Sequence, residues 1–428
     1  MSRGGPAAGE VGLWGLVPYE QALDLVLDAA GRLAPLADEE VALEEAAGRV
    51  LAEAVVAHEA WPPAARAAMD GYAVRCADVA GASSSSPVFL EVVETLVAGT
   101  SRGVELGPRQ CCRVMTGVVL PAGSDAVVPQ EVVREAGDRR IAVERAVEPG
   151  SYTFPAGEDT QPGEAVLQPG VRLWAGPVGL LASLGRTRVR VKRRPVMAVL
   201  ATGDEVVEVR EARLEQGQVR NSNAYSVAAQ LRAWGAAPLL AGIAPDSEEE
   251  LAGRVQSAAD VADGLVVTGG MSVGLRDLVR PVLERLGVRW HLHRVAIRPG
   301  RPVAFGTWNG RPVFGLPGTP GGAFVAAELF VRPLLARWTG QAWRAPEVEG
   351  YLAAPVRMAP GRMRWLRARV TTDDRGRLVA EALGRQSSAS VRSLADAMAL
   401  VAIPPEVEEL PAGAPVRVRL LEGAAWPS

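Results

Sequence analysis

The chain has 428 residues, 48% of them hydrophobic, and a formal net charge of −3. That length predicts roughly two to four domains with sizeable cores. The near-neutral charge gives no support for a nucleic-acid or membrane role, and no apolar run approaches the ~18–20 residues that span a bilayer.

The N-terminal stretch MSRGGPAAGEVG (residues 1–12) lacks the apolar core of a signal peptide and reads as a disordered lead-in. Pro18 to Leu33 spaces Leu23, Val26, Leu27 and Ala30 as a helix does, and Val41 to Ala54 repeats the pattern. From Pro62 to Glu148, short β-rich runs alternate with Gly, Pro and Ser clusters. This predicts a small β domain inserted into a helical one, with Ser83 to Ser86 as a loop tip. Helical character returns at Gly176 to Gly185. From Arg194 to about Gly340 strands and helices alternate (VMAVLA, NAYSVAAQLRAWG, APLLAGI, SEEELAGRVQSAAD, GLVVTGG, LVRPVLERLG), which predicts a parallel sheet covered by helices. WHLHRVAI, PVAFGTW and PVFGLPG add strands before a long helix, Gly322 to Trp338. The tail from about Ala345 is β-rich, with strands near Trp365–Val370, Leu378–Ala380, Ala399–Ile403 and Val416–Leu420, and predicts a compact β domain.

Cys76, Cys111 and Cys112 form neither a disulfide framework nor a CxxC motif, which fits a reducing cytoplasm. His58, His291 and His293 have no nearby cysteine to complete a zinc set, and the last two alternate as on one strand face. Lys192 is the single lysine, so the basic charge is essentially all arginine.

Three apolar runs end beside an acid: MAVLATGDE at Glu205, PLLAGIAPDS at Asp246 and LVVTGGMSVGLRD at Asp277. In an open parallel sheet such strand ends line one crevice, where ligands bind. Gly269, Gly270 and Gly274 can bring backbone N–H groups to an anion ahead of a helix, with Ser272 adding a hydroxyl. The same residues also serve as an ordinary N-capped strand-to-helix turn. In RPGRP (298–302), preceded by Arg294, a rigid turn splays guanidinium groups suited to phosphate or an oxyanion, or simply to solvent. Spacing Arg294 from Arg298 along a strand would place both on one face. LPGTPGGA (316–323) is another strand exit meeting a helix N-terminus, an anion site or a structural turn. Asp70-Gly71 and Thr116-Gly117 read first as hairpin turns, and the GED at 157–159 as a turn presenting two carboxylates. Carboxylates suit Mg²⁺ shared with phosphates, and no Ser–His–Asp or Cys–His arrangement is evident. Metal-assisted phosphoanhydride chemistry is the class these residues favour.

AMDGYAV, MTG…LPAGSDAVV, GED, ATGDE, GG-x-SVG, PG-x-P and LPG-x-P occur in this order between about Val17 and Val418. Jointly they resemble the molybdopterin molybdenumtransferase family (MoeA and the C-terminal domain of gephyrin). The resemblance implies an α/β multidomain subunit. Residues 13–61 and 149–193 would form an elongated helical N-terminal domain and 62–148 the inserted β domain. Residues 194–342 would form an α/β molybdopterin-binding domain with a doubly wound parallel sheet, like the molybdopterin adenylyltransferases, and 343–428 a C-terminal β-barrel. It implies a cytoplasmic, Mg²⁺-dependent homodimer that inserts molybdenum from molybdate into adenylated molybdopterin and releases AMP. The site would be shared between the α/β domain of one subunit and the N-terminal region of the other. Partners would be the adenylyltransferase and molybdoenzyme maturation proteins, with no nucleic acid and no membrane.

By residue, the resemblance implies catalytic roles for Asp70, Asp159, Glu205, Asp246, Asp277, Arg298 and Arg301, with Glu205, Asp246 and Asp277 at the metal. Substrate binding would fall to Thr116, Gly269, Gly270, Ser272, Gly274, Arg294, Gly318, Thr319, Pro320, Arg367 and Ser388. The chain departs from the family pattern in places. FDNSAMDGYA is AARAAMDGYA here. PGKP is Pro299-Gly300-Arg301-Pro302, and the lysine before it is Arg298. LPGNPVS is Leu316-Pro317-Gly318-Thr319-Pro320-Gly321-Gly322, and ANG is Ala397-Met398-Ala399. Arginine prefers bidentate geometry, so its replacement of lysine is not neutral. Each lost hydrogen bond costs roughly 0.5–1.5 kcal/mol, up to about tenfold in affinity. These losses leave one alternative, a degenerate paralogue that binds molybdopterin or finished cofactor for storage or delivery without catalysis. Molybdate and tungstate, both tetrahedral dianions of similar size, are not separated by these residues.

Overall fold

The computed structural model describes residues 15–99, 103–271 and 278–423, which fall into two compact units. One unit runs to residue 40 and takes up 48–52 and 190–428; the other comprises 41–47 and 53–189. Among the described residues, no helix is long and apolar enough to cross a membrane.

The first unit is organised by a six-stranded sheet. Its order is Ala237–Ala244, Val196–Thr202, Gly264–Thr268, Arg311–Leu316, Ala304–Trp308 and Arg289–His293. The strands Val196–Thr202 and Gly264–Thr268 are covered on both faces, which is why they read as unbroken apolar runs. Val199, Val266 and Phe314 face one core, shared with the helices Ser222–Ala233 and Pro320–Ala326 and with Tyr19–Ala30. Leu200, Leu265 and Val267 face the other, beneath Glu248–Ala259 and Val279–Arg285. Helix starts are written locally: the Asn221 side chain accepts from the Ala224 N–H at 3.2 Å, and Ser247 caps a helix with three glutamates in its first turn.

The sheet expected to be parallel is mixed. Ala304–Trp308 runs antiparallel to both neighbours. The reason was present in the sequence: Asn309 (φ 49°) and Gly310 (φ 76°) form a two-residue turn between Trp308 and Arg311, and Asn-Gly supplies the two left-handed residues a tight hairpin needs. The long helix begins at Pro320 and reaches Trp338 through a π-helical turn at Ala327–Val331. Pro333 has no N–H to offer the preceding turn, and the ladder widens just before it. The helical pattern expected over Val41–Ala54 is not a helix. Asp38–Ala42 is a strand, Leu43–Glu45 a single 3₁₀ turn, and Gly48 turns the chain at φ 78°.

The tail closes into a five-stranded barrel. Met363–Thr372, Leu378–Ala382, Glu347–Leu352, Pro415–Leu420 and Ala399–Ile403 pair in sequence, and the last returns to the first through Arg367 opposite Leu400. Ile297–Arg298 joins as a sixth segment, parallel to Met363–Arg364.

In the second unit another six-stranded sheet takes the order Ala126–Pro129, Gly71–Val74, Gln110–Val114, Val88–Leu96, Arg140–Val143 and Val133–Glu135. Cys76, Cys111 and Cys112 are buried as free thiols, and burial pushes the Cys76 and Cys111 thiols up to about 12. They pack as small hydrophobes and are chemically quiet.

The barrel is fastened by a buried arginine. Arg419 has no exposed surface; it donates to Tyr19 Oη at 2.7 Å and to Glu347 Oε1 at 2.6 Å, and lies 4.8 Å from the Trp365 ring centroid. Removing one partner of such a pair strands the other. Arg419→Ala is expected to cost about 3–5 kcal/mol. Arg417→Ala, which removes a half-exposed guanidinium 3.7 Å from the same Glu347, is expected to cost at most about 1 kcal/mol. Denaturant unfolding of the two variants side by side measures the difference.

Candidate functional site

The chain leaves Val196–Thr202, passes through Ser222–Ala233 to Ala237–Ala244 on one side, then returns through Glu248–Ala259 to Gly264–Thr268 on the other. Strand order therefore reverses at Thr202 and Thr268, and their carboxyl ends part to leave a crevice. Two cavities meet there, sharing Thr202, Glu205, Gly318 and Thr319.

The larger, about 860 Å³, is polar. It is lined by Glu205, Asp246, Gly269, Gly270, Arg298, Arg301, Gly318, Thr319 and Ser388, all expected at a site, and by Gly203, Met271, Arg362, Gln386 and Ser387, which were not. Gly203 turns at φ 130°, and a Cβ there would lie 2.5 Å from a Glu205 carboxylate oxygen; glycine lets that carboxylate fold back toward the strand end. Asp204 Oδ1 accepts the Asp246 N–H at 2.9 Å and ties two strand exits together. Gly270 sits at φ 59° with room for a Cβ taken by Val279, whose Cγ2 would be 2.2 Å away. Three guanidinium groups, Arg298, Arg301 and Arg362, thus share a wall with two carboxylates. Burial and the neighbouring Arg298 and Arg362 lower the pKa of Arg364 just behind.

The smaller cavity, about 480 Å³, has apolar walls from Val206, Leu214, Val219, Ala389 and Val391 and polar groups from Thr202, Asn221, Ser222, Asn223 and Thr268, with Pro320 at its edge. Asn223 Nδ2 donates to the Gly318 carbonyl at 2.7 Å. Asn223 Oδ1 and Thr268 Oγ1 are buried without a hydrogen-bond partner among the described residues. Buried polar atoms normally find a partner in protein, water or ligand. Asn221 and Asn223 were missed because the sequence marks them only as a helix start.

Other expectations fare differently. Ser272, Gly274 and Asp277 lie outside the described residues. Arg294 does not share a strand face with Arg298: the strand ends at His293, Arg294 turns at φ 67°, and it lines neither cavity. Arg367 also lines neither cavity and is fully buried. The first amides of the Pro320 helix are not free for an anion, since Gly321 N–H donates to Ser388 O and Gly322 N–H to Thr319 O.

In the second unit, Thr116 donates from its N–H at 2.8 Å and its Oγ1 at 2.9 Å to Asp70 Oδ1. These bonds, the amide foremost, hold the exposed Asp70 carboxyl below its ordinary pKa. Asp70-Gly71 is not a hairpin turn. Gly71 opens a central strand, and a Cβ there would sit 2.2 Å from Val128 O. Thr116-Gly117 is a turn, with Gly117 at φ 81°. Asp159 is exposed beside Gly157 in its turn, its amide bonded to Trp61 O.

Three family models match in succession: "MoeA N-terminal region (domain I and II)" over residues 17–185, "Probable molybdopterin binding domain" over 198–337 and "MoeA C-terminal region (domain IV)" over 349–421. The chain is 37% identical to the molybdopterin molybdenumtransferase of Bacillus subtilis over 90% of its own length and 91% of the relative's. It is 36% identical to molybdopterin molybdenumtransferase 1 of Mycobacterium tuberculosis over 89% and 94%. A crystal structure of the molybdopterin biosynthesis MoeA protein from Pyrococcus horikoshii OT3 superposes with a TM-score of 0.81 at 31% identity, covering 95% of this chain and all of that one. Sequence and fold agree over most of its length, and the chain belongs to the molybdopterin molybdenumtransferase family.

Proposed function

We propose that this protein inserts molybdenum from molybdate into adenylated molybdopterin and releases AMP. One observation carries the reading: at the strand-order reversal, an arginine-bearing polar cavity adjoins an apolar-walled one edged with unsatisfied amide and hydroxyl groups. Such a pair suits a ligand with a flat heterocycle at one end and phosphates at the other. The apolar walls would take the ring, with Asn223 and Thr268 reading its edge. Arg298, Arg301 and Arg362 would take the phosphate and molybdate oxygens through forked donors. Preorganised positive charge of this kind stabilises the charge that develops as a phosphoanhydride breaks.

Mg²⁺ binds through one or two carboxylates, with substrate phosphates and water completing its shell. Glu205 and Asp246 fit that pattern, and no group of three His, Cys, Asp or Glu forms a closed cage among the described residues. When bound, the ion would neutralise phosphoanhydride charge. We further read the protein as a cytoplasmic homodimer in which Asp70, Thr116 and Asp159 of one subunit complete the crevice of the other. Asp70, held ionised by Thr116, would there orient a metal-bound or protonated group.

Purified protein is expected to release AMP from adenylated molybdopterin only when molybdate is present. Arg298→Ala and Arg301→Ala are each expected to raise the molybdate KM roughly tenfold or more, the effect of losing a charged hydrogen bond. Tight substrate binding with no molybdate-dependent AMP release would reject the reading.

Asp70 offers a pH test. Its carboxyl is depressed in the folded protein, so it stays charged as pH falls through the ordinary carboxylate range near ~4, and whatever it holds is lost only below that. Thr116→Val keeps the amide bond and removes the hydroxyl bond. The Asp70 pKa, followed by NMR titration, is expected to move up toward its ordinary value.

A further inference from the structure

We propose that Arg367 is a positioning residue that, with the bare backbone of Gly321, fastens the Gln386–Ser388 turn to the start of the Pro320 helix and so sets one wall of the polar cavity.

Arg367 stands on the barrel strand Met363–Thr372 with no exposed surface. Its Nη2 donates to the carbonyls of Arg385 at 3.2 Å and Ser387 at 3.1 Å. Its backbone is claimed by the same turn: Arg367 N–H donates to Gln386 Oε1 at 3.1 Å, and Gln386 Nε2 donates back to Arg367 O at 2.8 Å. The far side of the turn is held by the helix, where Gly321 N–H donates to Ser388 O at 2.7 Å. Gln386, Ser387 and Ser388 line the polar cavity, whereas Arg367 does not.

Gly321 makes this arrangement fit. A Cβ there would lie 2.5 Å from Arg367 Nη1, 3.1 Å from Ser388 O and 3.3 Å from Ser388 Cα. The LPGNPVS pattern places valine at this position; with any side chain there, this guanidinium could not lie where it does. Glycine at 321 and the seated arginine are therefore one device. Among the described residues the guanidinium meets carbonyl oxygens, and its Nε and Nη1 have no partner. A charge so buried is costly without a counter-ion. Its use is geometric, because the two N–H groups of Nη2 reach two carbonyls of one turn at once.

Arg367→Met, Gly321→Ala and the double variant test the device in the full-length protein. The first arm is amide hydrogen exchange, which needs no substrate. The amides of Gly321 and Ser390, both bonded to carbonyls of this turn, are expected to exchange at least about tenfold faster in each single variant, while Val401 in the barrel keeps its protection. Unchanged exchange at Gly321 and Ser390 would overturn the proposal. The second arm rests on the proposed function. Each single variant is expected to raise the molybdate KM about ten- to hundredfold, as a small misplacement of a binding wall does, and to move the KM for adenylated molybdopterin less than about threefold. The double variant is expected to be no worse than the worse single, since removing Nη1 makes room for the new methyl group. Multiplying effects would mean independent roles and overturn the proposal. If Arg367→Met does not fold, Gly321→Ala decides alone: its arginine is intact, so wild-type exchange and kinetics would overturn the idea. Absence of AMP release in the wild-type protein defeats the functional reading and leaves the exchange arm standing.

Discussion

The reversal of strand order between Val196–Thr202 and Gly264–Thr268 is the constraint on which the rest depends. Right-handed crossovers send one helix to each face of the sheet, and the two carboxyl ends part between them. Thr202 and Thr268 lie side by side there, and every residue of the crevice is placed relative to them. Glu205 and Asp246 follow from strand exits, and Gly269 and Gly270 from the third. The backbone must leave each strand sharply, and the positive φ angles of Gly203, Gly269 and Gly270 are where it does so. Glu205 and Asp246 line one cavity because their strands are neighbours.

Around that opening the charges are arranged by contrast. The sheet and barrel cores are apolar, yet Arg419 and Arg367 are fully enclosed. Arg419 has a carboxylate and a phenol to answer it, and it binds the first helix to the barrel. Among the described residues the Arg367 guanidinium has only carbonyls. Glu328 is likewise enclosed, in the π-turn of the long helix; burial raises its pKa while Arg332, 2.7 Å away, opposes the rise. By contrast, the crevice arginines Arg298 and Arg301 are exposed and line the polar cavity.

What the sequence discloses divides along local and non-local lines. Strand exits, Asn and Ser caps and apolar strands are local, so the acids and glycines at 203–205, 246 and 269–270 could be read directly. Arg362, Gln386 and Ser387 could not, because Arg362 arrives through pairing of Ile297–Arg298 with Met363–Arg364 and the other two through the bonds of Arg367 and Gly321, contacts that no local pattern encodes. Arg294 and Arg298 were assigned to one strand face by their spacing, but the left-handed turn at Arg294 breaks the alternation. Val41–Ala54 has helical spacing of apolar residues, yet Gly48 turns the chain and β-bridges bury Val50 and Leu51 instead. The antiparallel strand at 304–308 is legible in Asn309-Gly310, a signal weaker than the alternation of strands and helices around it.

The parallel pairing of Ile297–Arg298 with Met363–Arg364 has a consequence for the autonomy of the parts. Excised at its ends, the α/β segment would retain the three strand exits and most of the apolar pocket, but not its walls Ala389 and Val391. It would shed the rim that supplies Arg362, Gln386 and Ser387, and Ile297 would lose its partner Met363. A graft of this segment onto another scaffold would therefore carry over only part of the lining of either cavity. The C-terminal region supplies Arg362, Gln386, Ser387 and Ser388 to the polar cavity, and the chain is divisible by sequence in a way that this lining is not.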